Sequence, residues 1–265
     1  MTVFQVIVLA IVQGLTEFLP ISSSGHLVLV PVFIGWTDQG LAFDVAVHFG
    51  SLLAVLLFFR NDIRALLRGG IQVLDAKFES IESRMALGIA LGTVPAAVAG
   101  LAFAGWIEAN LRSPAVVVVT LSGYAVLMIL ADRLGRRTRE ISSITIKEAL
   151  LIGIAQALAL VPGTSRSGVT ITAAMALGFE RQDAARFSFL LAVPVILLAT
   201  VFSLGGLANS GAPVAWGQLA IGVLVSGIVA YLSIEFFMRF VSRIGLMPFA
   251  IYRLALAAVI LYVVI

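Results

Sequence analysis

Apolar runs of about 20 residues recur along the whole chain, and this is the length that an α-helix needs to cross the hydrocarbon core of a bilayer. Strands of a membrane barrel would instead alternate between apolar and polar residues, which these unbroken runs do not. Only 12% of the residues are charged, against roughly 25% in soluble domains. The sequence therefore predicts an all-α polytopic membrane protein, with residues 1–265 forming one integral membrane domain.

Six of the runs are predicted to be transmembrane helices. They cover residues 43–60, 84–105, 114–131, 183–203, 214–238 and 249–265. Two more segments, about 2–36 and about 147–178, are each interrupted by a polar cluster, and neither side of the cluster is long enough to cross a bilayer comfortably. Each is predicted to be a re-entrant helical hairpin whose tip lies at membrane depth, where protein or a wet cavity must cover non-helical backbone.

The two polar clusters share one sequence pattern. The first reads Gln-Gly-Leu-Thr-Glu-Phe-Leu-Pro-Ile-Ser-Ser-Ser-Gly-His from Gln13 to His26, and the second reads Gln-Ala-Leu-Ala-Leu-Val-Pro-Gly-Thr-Ser-Arg-Ser-Gly from Gln156 to Gly168. Both begin with Gln-x-Leu, pass through a proline and end in Ser-x-Ser-Gly, with twelve steps from Gln to Gly. We therefore predict two repeats, residues 1–131 and 147–265, each with one hairpin and three transmembrane helices.

The basic residues predict how the repeats are oriented. Loops 61–83, 132–147 and 239–248 carry most of the Lys and Arg and are predicted to be cytoplasmic, whereas 106–113 and 204–216 are predicted to lie outside. Three crossings per half make the halves point in opposite directions, which predicts an inverted-topology repeat with both termini periplasmic or extracellular. Because the net charge of +3 arises from loops, membrane lipids rather than nucleic acid are the expected partners.

The serines of the two clusters predict an anion site. In inverted repeats, broken helices meet near the midplane and direct their N-termini at a shared site. One serine run is expected to precede a helix that begins at His26, and the other a helix that begins near Val169. Capping serines beside exposed N–H groups would bind an anion, and the alternative is that these serines only cap helices.

One cluster supplies an acid and the other a base. Arg166 at membrane depth is costly unless it faces a partner or a cavity, and the alternative is that it snorkels to the cytoplasmic surface. Glu17 shares a helix face with Gln13 and needs Arg166, a divalent cation or a proton as its partner. Leu160 occupies the position of the second repeat that matches Glu17. Such an asymmetric site favours chemistry on one anion over symmetric gating.

The histidines leave alternatives open. His26 could act as a nucleophile or general acid toward a phosphoryl group, although a lone histidine is more often a satisfied polar residue. His48 is interpreted as a packing residue, and Arg186 could either snorkel or reach the cavity. Two histidines without any cysteine are too few for a structural zinc site.

The two clusters resemble the two signature regions of the bacterial undecaprenyl pyrophosphate phosphatases, the BacA/UppP family. The matching residues are Gln13-x-x-x-Glu17 followed by Phe-Leu-Pro-Ile-Ser-Ser-Ser-Gly-His26, and Pro-Gly-Thr-Ser-Arg166-Ser-Gly. The resemblance covers essentially the whole chain. It implies hydrolysis of undecaprenyl diphosphate to the monophosphate and inorganic phosphate at the outer face of the bacterial inner membrane. That reaction recycles the lipid carrier of peptidoglycan synthesis and confers bacitracin resistance.

The resemblance also implies the roles of the site residues. Glu17, Ser23, His26 and Arg166 are the expected catalytic residues, and a divalent cation, Mg²⁺ or Ca²⁺, is expected at Glu17 and Gln13. The remaining loop residues expected to contact the diphosphate are Gln13, Ser22, Ser24, Gly25, Thr164, Ser165, Ser167 and Gly168.

Several points stay open at this stage. The nucleophile is Ser23 or His26, and the oligomeric state is undefined, with a homodimer as one expected form. The alternative function is a transporter or flippase for a lipid phosphate or a small anion, because inverted repeats with midplane hairpins also serve transport.

Overall fold

The computed structural model describes residues 1–111, 113–210 and 215–264. Within them the chain forms eleven α-helices and two short 3-10 turns, and the only β-contact is an isolated bridge between Arg139 and Phe179. The predicted all-α class is therefore confirmed. Arg112, residues 211–214 of the predicted outer loop and the last residue of the final predicted span lie outside the described residues.

The helices are numbered in chain order. The first six are α1 (Val3–Thr16), α2 (Ser23–Ile34), α3 (Leu41–Phe58), α4 (Arg60–Leu74), α5 (Ile81–Asn110) and α6 (Pro114–Leu134). The other five are α7 (Ile146–Ala157), α8 (Arg166–Ala176), α9 (Arg181–Ser210), α10 (Trp216–Ile244) and α11 (Met247–Val264).

Five of these helices are long and apolar enough to cross a membrane: α3, α5, α6, α9 and α10. The helices α1, α2 and α11 are apolar but shorter. A crossing by α11, the sixth predicted span, therefore stays a prediction.

The prediction of a loop at residues 61–83 is wrong for most of these residues, because the helix α4 extends to Leu74. Its arginines recur with helical spacing, and Ile63 and Leu66 on the opposite side pack against the main apolar core. Gly69 brings α4 against α5 so closely that an added Cβ would lie 2.1 Å from the carbonyl oxygen of Glu82. The basic residues of this segment were interpreted as loop residues, although their spacing has the period of an amphipathic helix.

Glycines set how deeply the broken helices pack into the bundle. At Gly14 of α1, an added Cβ would lie 2.7 Å from the carbonyl oxygen of Ser226 in α10. At Gly153 of α7, it would lie 2.2 Å from the carbonyl oxygen of Gly92 in α5. Small residues allow this close approach of helix backbones in membranes. The first hairpin is therefore held by a helix of the second half, and the second hairpin by a helix of the first half.

The segment between the two halves is anchored at the start of α7. The Arg139 guanidinium donates hydrogen bonds to the Glu148 carboxylate and to the Leu177 carbonyl oxygen, and it lies 4.5 Å from the Phe179 ring centroid. Hydrogen bonds from Arg139 lower the pKa of Glu148 to about 2. The pair therefore stays charged at neutral pH and fixes where the second hairpin begins.

Candidate active site at two broken helices

The two hairpins break at equivalent residues. Ser22 (φ 75°) and Ser165 (φ 71°) both have left-handed backbone conformations, which serine rarely adopts. Each comes nine residues after the glutamine that begins its loop, Gln13 or Gln156. Strained backbone at functional sites is held in place by its surroundings. The two loops therefore share a positive φ at the serine that directly precedes the second helix.

Both second helices begin three residues earlier than predicted. The helix α2 begins at Ser23 rather than His26, and α8 begins at Arg166 rather than near Val169. The left-handed residue before each helix completes the turn, so the next residue is already helical. Ser165 caps α8 by accepting a hydrogen bond from the Gly168 N–H at 3.2 Å. Its counterpart Ser22 makes no side-chain cap bond, and the predicted capping role is wrong there.

Glu17 contacts residues of both broken helices. Its Oε1 accepts a hydrogen bond from Nη2 of Arg166 at 3.0 Å. Its Oε2 accepts hydrogen bonds from Oγ of Ser23 at 2.6 Å and from Nε2 of Gln13 at 3.0 Å. The carboxylate is buried. One hairpin therefore contributes the acid and a hydroxyl, and the other contributes the guanidinium that neutralises the acid.

Arg166 is held inside the protein. Its side chain is only 12% exposed, and its Nη1 donates to the Ser188 carbonyl oxygen at 3.4 Å. Its guanidinium carbon lies 5.7 Å from the ring centroid of buried Phe18. An arginine that snorkelled to the surface would instead have an exposed head group. The alternative of a snorkelling Arg166 does not fit this geometry.

A cavity of about 290 Å³ opens beside the ion pair. Its lining residues are Glu17, Leu41, Asp44, Val45, His48, Arg166, Val195, Ile196, Ala199, Thr200 and Ser203. Nδ1 of His48 lies 2.7 Å from the backbone carbonyl oxygen of Asp44 and must donate to it. Nε2 of His48 lies 3.6 Å from Oε2 of Glu17. His48, interpreted from the sequence as a packing residue, therefore forms part of the polar wall.

His26 lies in a different environment. Its Nδ1 lies 2.7 Å from the Ser22 carbonyl oxygen, which can only accept, so Nδ1 carries the proton. Its Nε2 lies 2.6 Å from the Tyr252 hydroxyl, which then donates to it. The two rings stack with centroids 5.6 Å apart. Both ring nitrogens are thus engaged, and sequence reasoning had no means of pairing a tyrosine of α11 with this histidine.

Arg253 of α11 is the most important residue that sequence reasoning missed. Its side chain is fully buried, and it donates to the carbonyl oxygens of Pro20 at 3.4 Å and Gly163 at 2.9 Å. Pro20 and Gly163 each come seven residues after the glutamine of their loop. It also donates to two carbonyl oxygens of α6, those of Thr120 and Leu121. The sequence signal for this residue was a cation within the last apolar run, because a charged side chain in a membrane segment needs a partner or a cavity.

The other predicted loop residues join or shape the two turns. Oγ of Ser167 donates to the Leu19 carbonyl oxygen at 3.0 Å and so links the second loop to the first. Ser24 is exposed, with its Oγ 3.5 Å from that of Ser22. At Gly25 an added Cβ would lie 3.3 Å from the Ser22 hydroxyl. The Thr164 hydroxyl is buried, with no hydrogen-bond partner among the described residues.

Arg186 does not line the cavity. It forms an ion pair with Asp62 of α4. The sequence left open whether Arg186 snorkels or reaches the cavity. In the structure it forms a contact between α9 and α4 instead.

The residues at Glu17 fit a divalent cation only if a ligand completes its coordination. The described residues contain no group of three His, Asp or Glu side chains that could hold a metal. Oε1 of Gln13, however, is a buried amide oxygen with no hydrogen-bond partner in the described chain, and Nε2 of the same amide donates to the Glu17 carboxylate. Mg²⁺ commonly takes one or two protein oxygens and completes its shell with water and substrate phosphates. These two side chains fit that pattern.

The fold and the site together define a polytopic helical membrane protein with an acid–base pair between two broken helices. Residues 6–259 match the family model described as bacitracin resistance protein BacA, and the chain belongs to this family. The undecaprenyl-diphosphatase of Hahella chejuensis is 53% identical over 258 residues, which cover 97% of each chain. Undecaprenyl-diphosphatase 2 of Stutzerimonas stutzeri is 51% identical, with 98% of each chain covered. The undecaprenyl-diphosphatase of Thioalkalivibrio sulfidiphilus is 50% identical, with 99% of each covered.

Proposed function

We propose that this protein is a membrane phosphatase that hydrolyses undecaprenyl diphosphate to undecaprenyl phosphate and inorganic phosphate in the bacterial inner membrane. The observation that carries the proposal is the contact of Glu17 with Arg166 at 3.0 Å and with the Ser23 hydroxyl at 2.6 Å. A hydroxyl, a base and a phosphate-binding cation thus lie side by side, and the base and the cation line the cavity. The names of the relatives support the substrate, and family membership supports a role in bacitracin resistance.

Ser23 is the nucleophile in this mechanism, and Glu17 is its base. The Ser23 hydroxyl already donates to Oε2 of Glu17, so the carboxylate receives the proton as Oγ attacks the terminal phosphorus. The bond from that phosphorus to the bridging oxygen breaks, and undecaprenyl phosphate leaves. Glu17 then releases this proton to the departing phosphate or to water. A water molecule attacks the phosphoserine as Glu17 accepts a proton from it, the bond from phosphorus to Oγ breaks, and Glu17 returns the proton to Oγ, so that inorganic phosphate is released and both residues are restored. His26 is less suited to the attack because both of its ring nitrogens are engaged.

Arg166 binds the terminal phosphate as Glu17 becomes a base. Guanidinium groups bind phosphate through paired N–H donors. When phosphate takes the place of Oε1 of Glu17 as the partner of Arg166, the carboxylate loses a stabilising cation and accepts a proton more readily. The N-termini of α2 and α8 add their dipoles to the same site. The positive charge is in place before negative charge grows in the transition state.

The leaving group needs little help from a general acid. A phosphate monoester has a second pKa of about 6, so it departs as a stable anion at neutral pH. His26 can therefore serve as a positioning residue that holds the first loop through the Ser22 carbonyl oxygen.

A divalent cation, Mg²⁺ or Ca²⁺, is part of the proposal. Oε1 of Gln13 and a carboxylate oxygen of Glu17 would hold it together with substrate phosphate oxygens. When bound, such an ion neutralises charge on the diphosphate.

The site is proposed to lie within an inverted-topology repeat that opens to the outer side. Two observations support the repeat. The matched serines share a left-handed backbone, and the packing is reciprocal, since α1 lies on α10 and α7 lies on α5. The cavity is lined by the start of α3 and the second half of α9. The loops at those two ends are predicted to be outside, which supports an outward-facing site with both termini on that side.

Arg253 is expected to act as a positioning residue for both loops. Arg253→Lys keeps the charge but cannot supply a planar set of donors to four carbonyl groups. We expect kcat for phosphate release to fall about tenfold to hundredfold, because small displacements of reacting groups are costly. KM should change much less. Arg243→Lys, an exchange at an exposed arginine, is the control. A wild-type kcat in Arg253→Lys would contradict the positioning role.

Phosphate release from purified protein in detergent tests the function. With undecaprenyl diphosphate as the substrate, the proposed phosphatase should produce inorganic phosphate and undecaprenyl phosphate in equal amounts over repeated turnovers. A transporter or flippase alone would release no phosphate, and that result would overturn the proposal.

A further inference from the structure

A second cavity lies directly beside the polar one and is apolar. It has a volume of about 470 Å³ and lies between α5 and α9. Its lining residues are Ala96, Ala97, Gly100, Leu101, Ala104, Leu160, Val195, Leu198, Ala199, Val201, Phe202 and Ser203. We call this cavity the apolar groove. It has no charged side chain in its lining, so it cannot bind a phosphate.

The apolar groove and the polar cavity adjoin each other along α9. Val195, Ala199 and Ser203 of α9 line both of them. A molecule with its charged end at Arg166 can therefore extend along α9 toward the groove. The structure thus offers one bipartite site for an amphipathic ligand.

The sequence repeat accounts for the different character of the two compartments. Glu17 and Leu160 are equivalent residues, because each comes four residues after the glutamine of its loop. Glu17 lines the polar cavity, and Leu160 lines the groove. The exchange of acid for leucine makes one compartment suited to a phosphate and the other suited to a hydrocarbon chain.

We propose that the apolar groove binds the first isoprene units of the substrate's prenyl chain and so selects for chain-bearing diphosphates. This inference rests on the proposed phosphatase function. The volume lies within the range of about 300–1,000 Å³ that is usual for ligand sites. Leu101 is 77% exposed and Phe202 is 72% exposed at the groove, on α5 and α9 respectively, so the chain can continue sideways into the bilayer.

Gly100 is the residue at which to fill the groove. A Cβ added there would lie 3.9 Å from Cδ2 of Leu160, which is ordinary contact distance, so a larger side chain extends into the groove. Gly100→Leu is therefore the test variant, and Ala104→Leu, one helical turn further along the groove, is an independent second variant. Gly105→Leu is the matched control, because an added Cβ at Gly105 meets no atom within 4 Å and Gly105 does not line the groove.

The experiment compares two diphosphates that differ in chain length. For each protein, kcat/KM for phosphate release is measured on farnesyl diphosphate, with three prenyl units, and on dimethylallyl diphosphate, with one. We expect the ratio of the farnesyl value to the dimethylallyl value to fall about tenfold or more in Gly100→Leu and Ala104→Leu, since each methylene that loses its apolar site weakens transition-state binding. The ratio should be unchanged in Gly105→Leu.

The outcomes separate this inference from the proposed function. Unchanged ratios in both groove variants, with wild-type turnover of dimethylallyl diphosphate, would overturn the groove assignment and leave the phosphatase intact. The groove would then hold bulk lipid only. Wild-type protein that releases phosphate from no prenyl diphosphate would instead overturn the phosphatase itself.

Discussion

Arg166→Ala is expected to lower kcat for phosphate release about 10²–10³-fold, the usual effect of removing one preorganised charge-stabilising donor. The reason lies in the contacts of Arg166, whose side chain is only 12% exposed, which faces the cavity and which is the cation that neutralises Glu17. Without it the terminal phosphate loses its main electrostatic partner, and Glu17 loses its ion pair and keeps only the hydrogen bonds from Ser23 and Gln13 and the neighbouring His48. Steady-state phosphate release in detergent measures the effect.

Arg186→Ala is the matched control. Arg186 belongs to the same half of the chain and also pairs with a carboxylate, that of Asp62, but it lies outside the cavity and its side chain is 43% exposed. Ion pairs of this exposure contribute little to stability, so turnover should stay within about twofold of wild type. Thermal unfolding of both variants shows whether they remain folded. Near-normal phosphate release from Arg166→Ala would refute the role of this residue.

Ser23→Ala is expected to reduce turnover by about 10⁴-fold or more, as the loss of a nucleophile does in other covalent mechanisms. The substitution removes the hydroxyl that donates to Glu17 at 2.6 Å but leaves the ion pair with Arg166 in place. Substrate binding should therefore persist while turnover is lost. Rapid acid quenching of wild type with labelled diphosphate should trap phosphate on the protein as an acid-stable phosphoester at Ser23.

Ser51→Ala serves as the control for Ser23→Ala, because the Ser51 hydroxyl only donates to the Val47 carbonyl oxygen within α3. Its turnover should match wild type. An acid-labile phosphoenzyme that persists in Ser23→Ala would contradict the proposed mechanism and point to His26 instead.

The broken helices were predictable because the rules that govern them are local or follow from the bilayer. A run interrupted by Pro and Ser cannot form a continuous helix of spanning length. Glu17 and Arg166 at membrane depth each need a partner, and the equivalent loops predicted that the two residues would contact each other. The structure places them 3.0 Å apart.

The errors of the sequence analysis have local causes as well. The arginines between the first two spans were counted as loop charges, although their spacing of four residues forms one face of α4. The second helices of both hairpins begin three residues early because Ser22 and Ser165 adopt left-handed conformations. No sequence rule predicts such a conformation for serine, since it is stabilised by surrounding packing rather than by the residue itself.

By itself, the sequence determined that the chain is helical and membrane-embedded, that it contains two equivalent breaks, and that one break carries an acid and the other a base. These properties depend on hydrophobic length and on the cost of buried charge, which can be evaluated along the chain. Only the tertiary structure decided that Arg253 donates to both loops, that Tyr252 occupies Nε2 of His26, and that α9 lines both the polar cavity and the apolar groove. Such contacts join residues 90 or more positions apart or on separate helices, and packing geometry rather than local composition selects them.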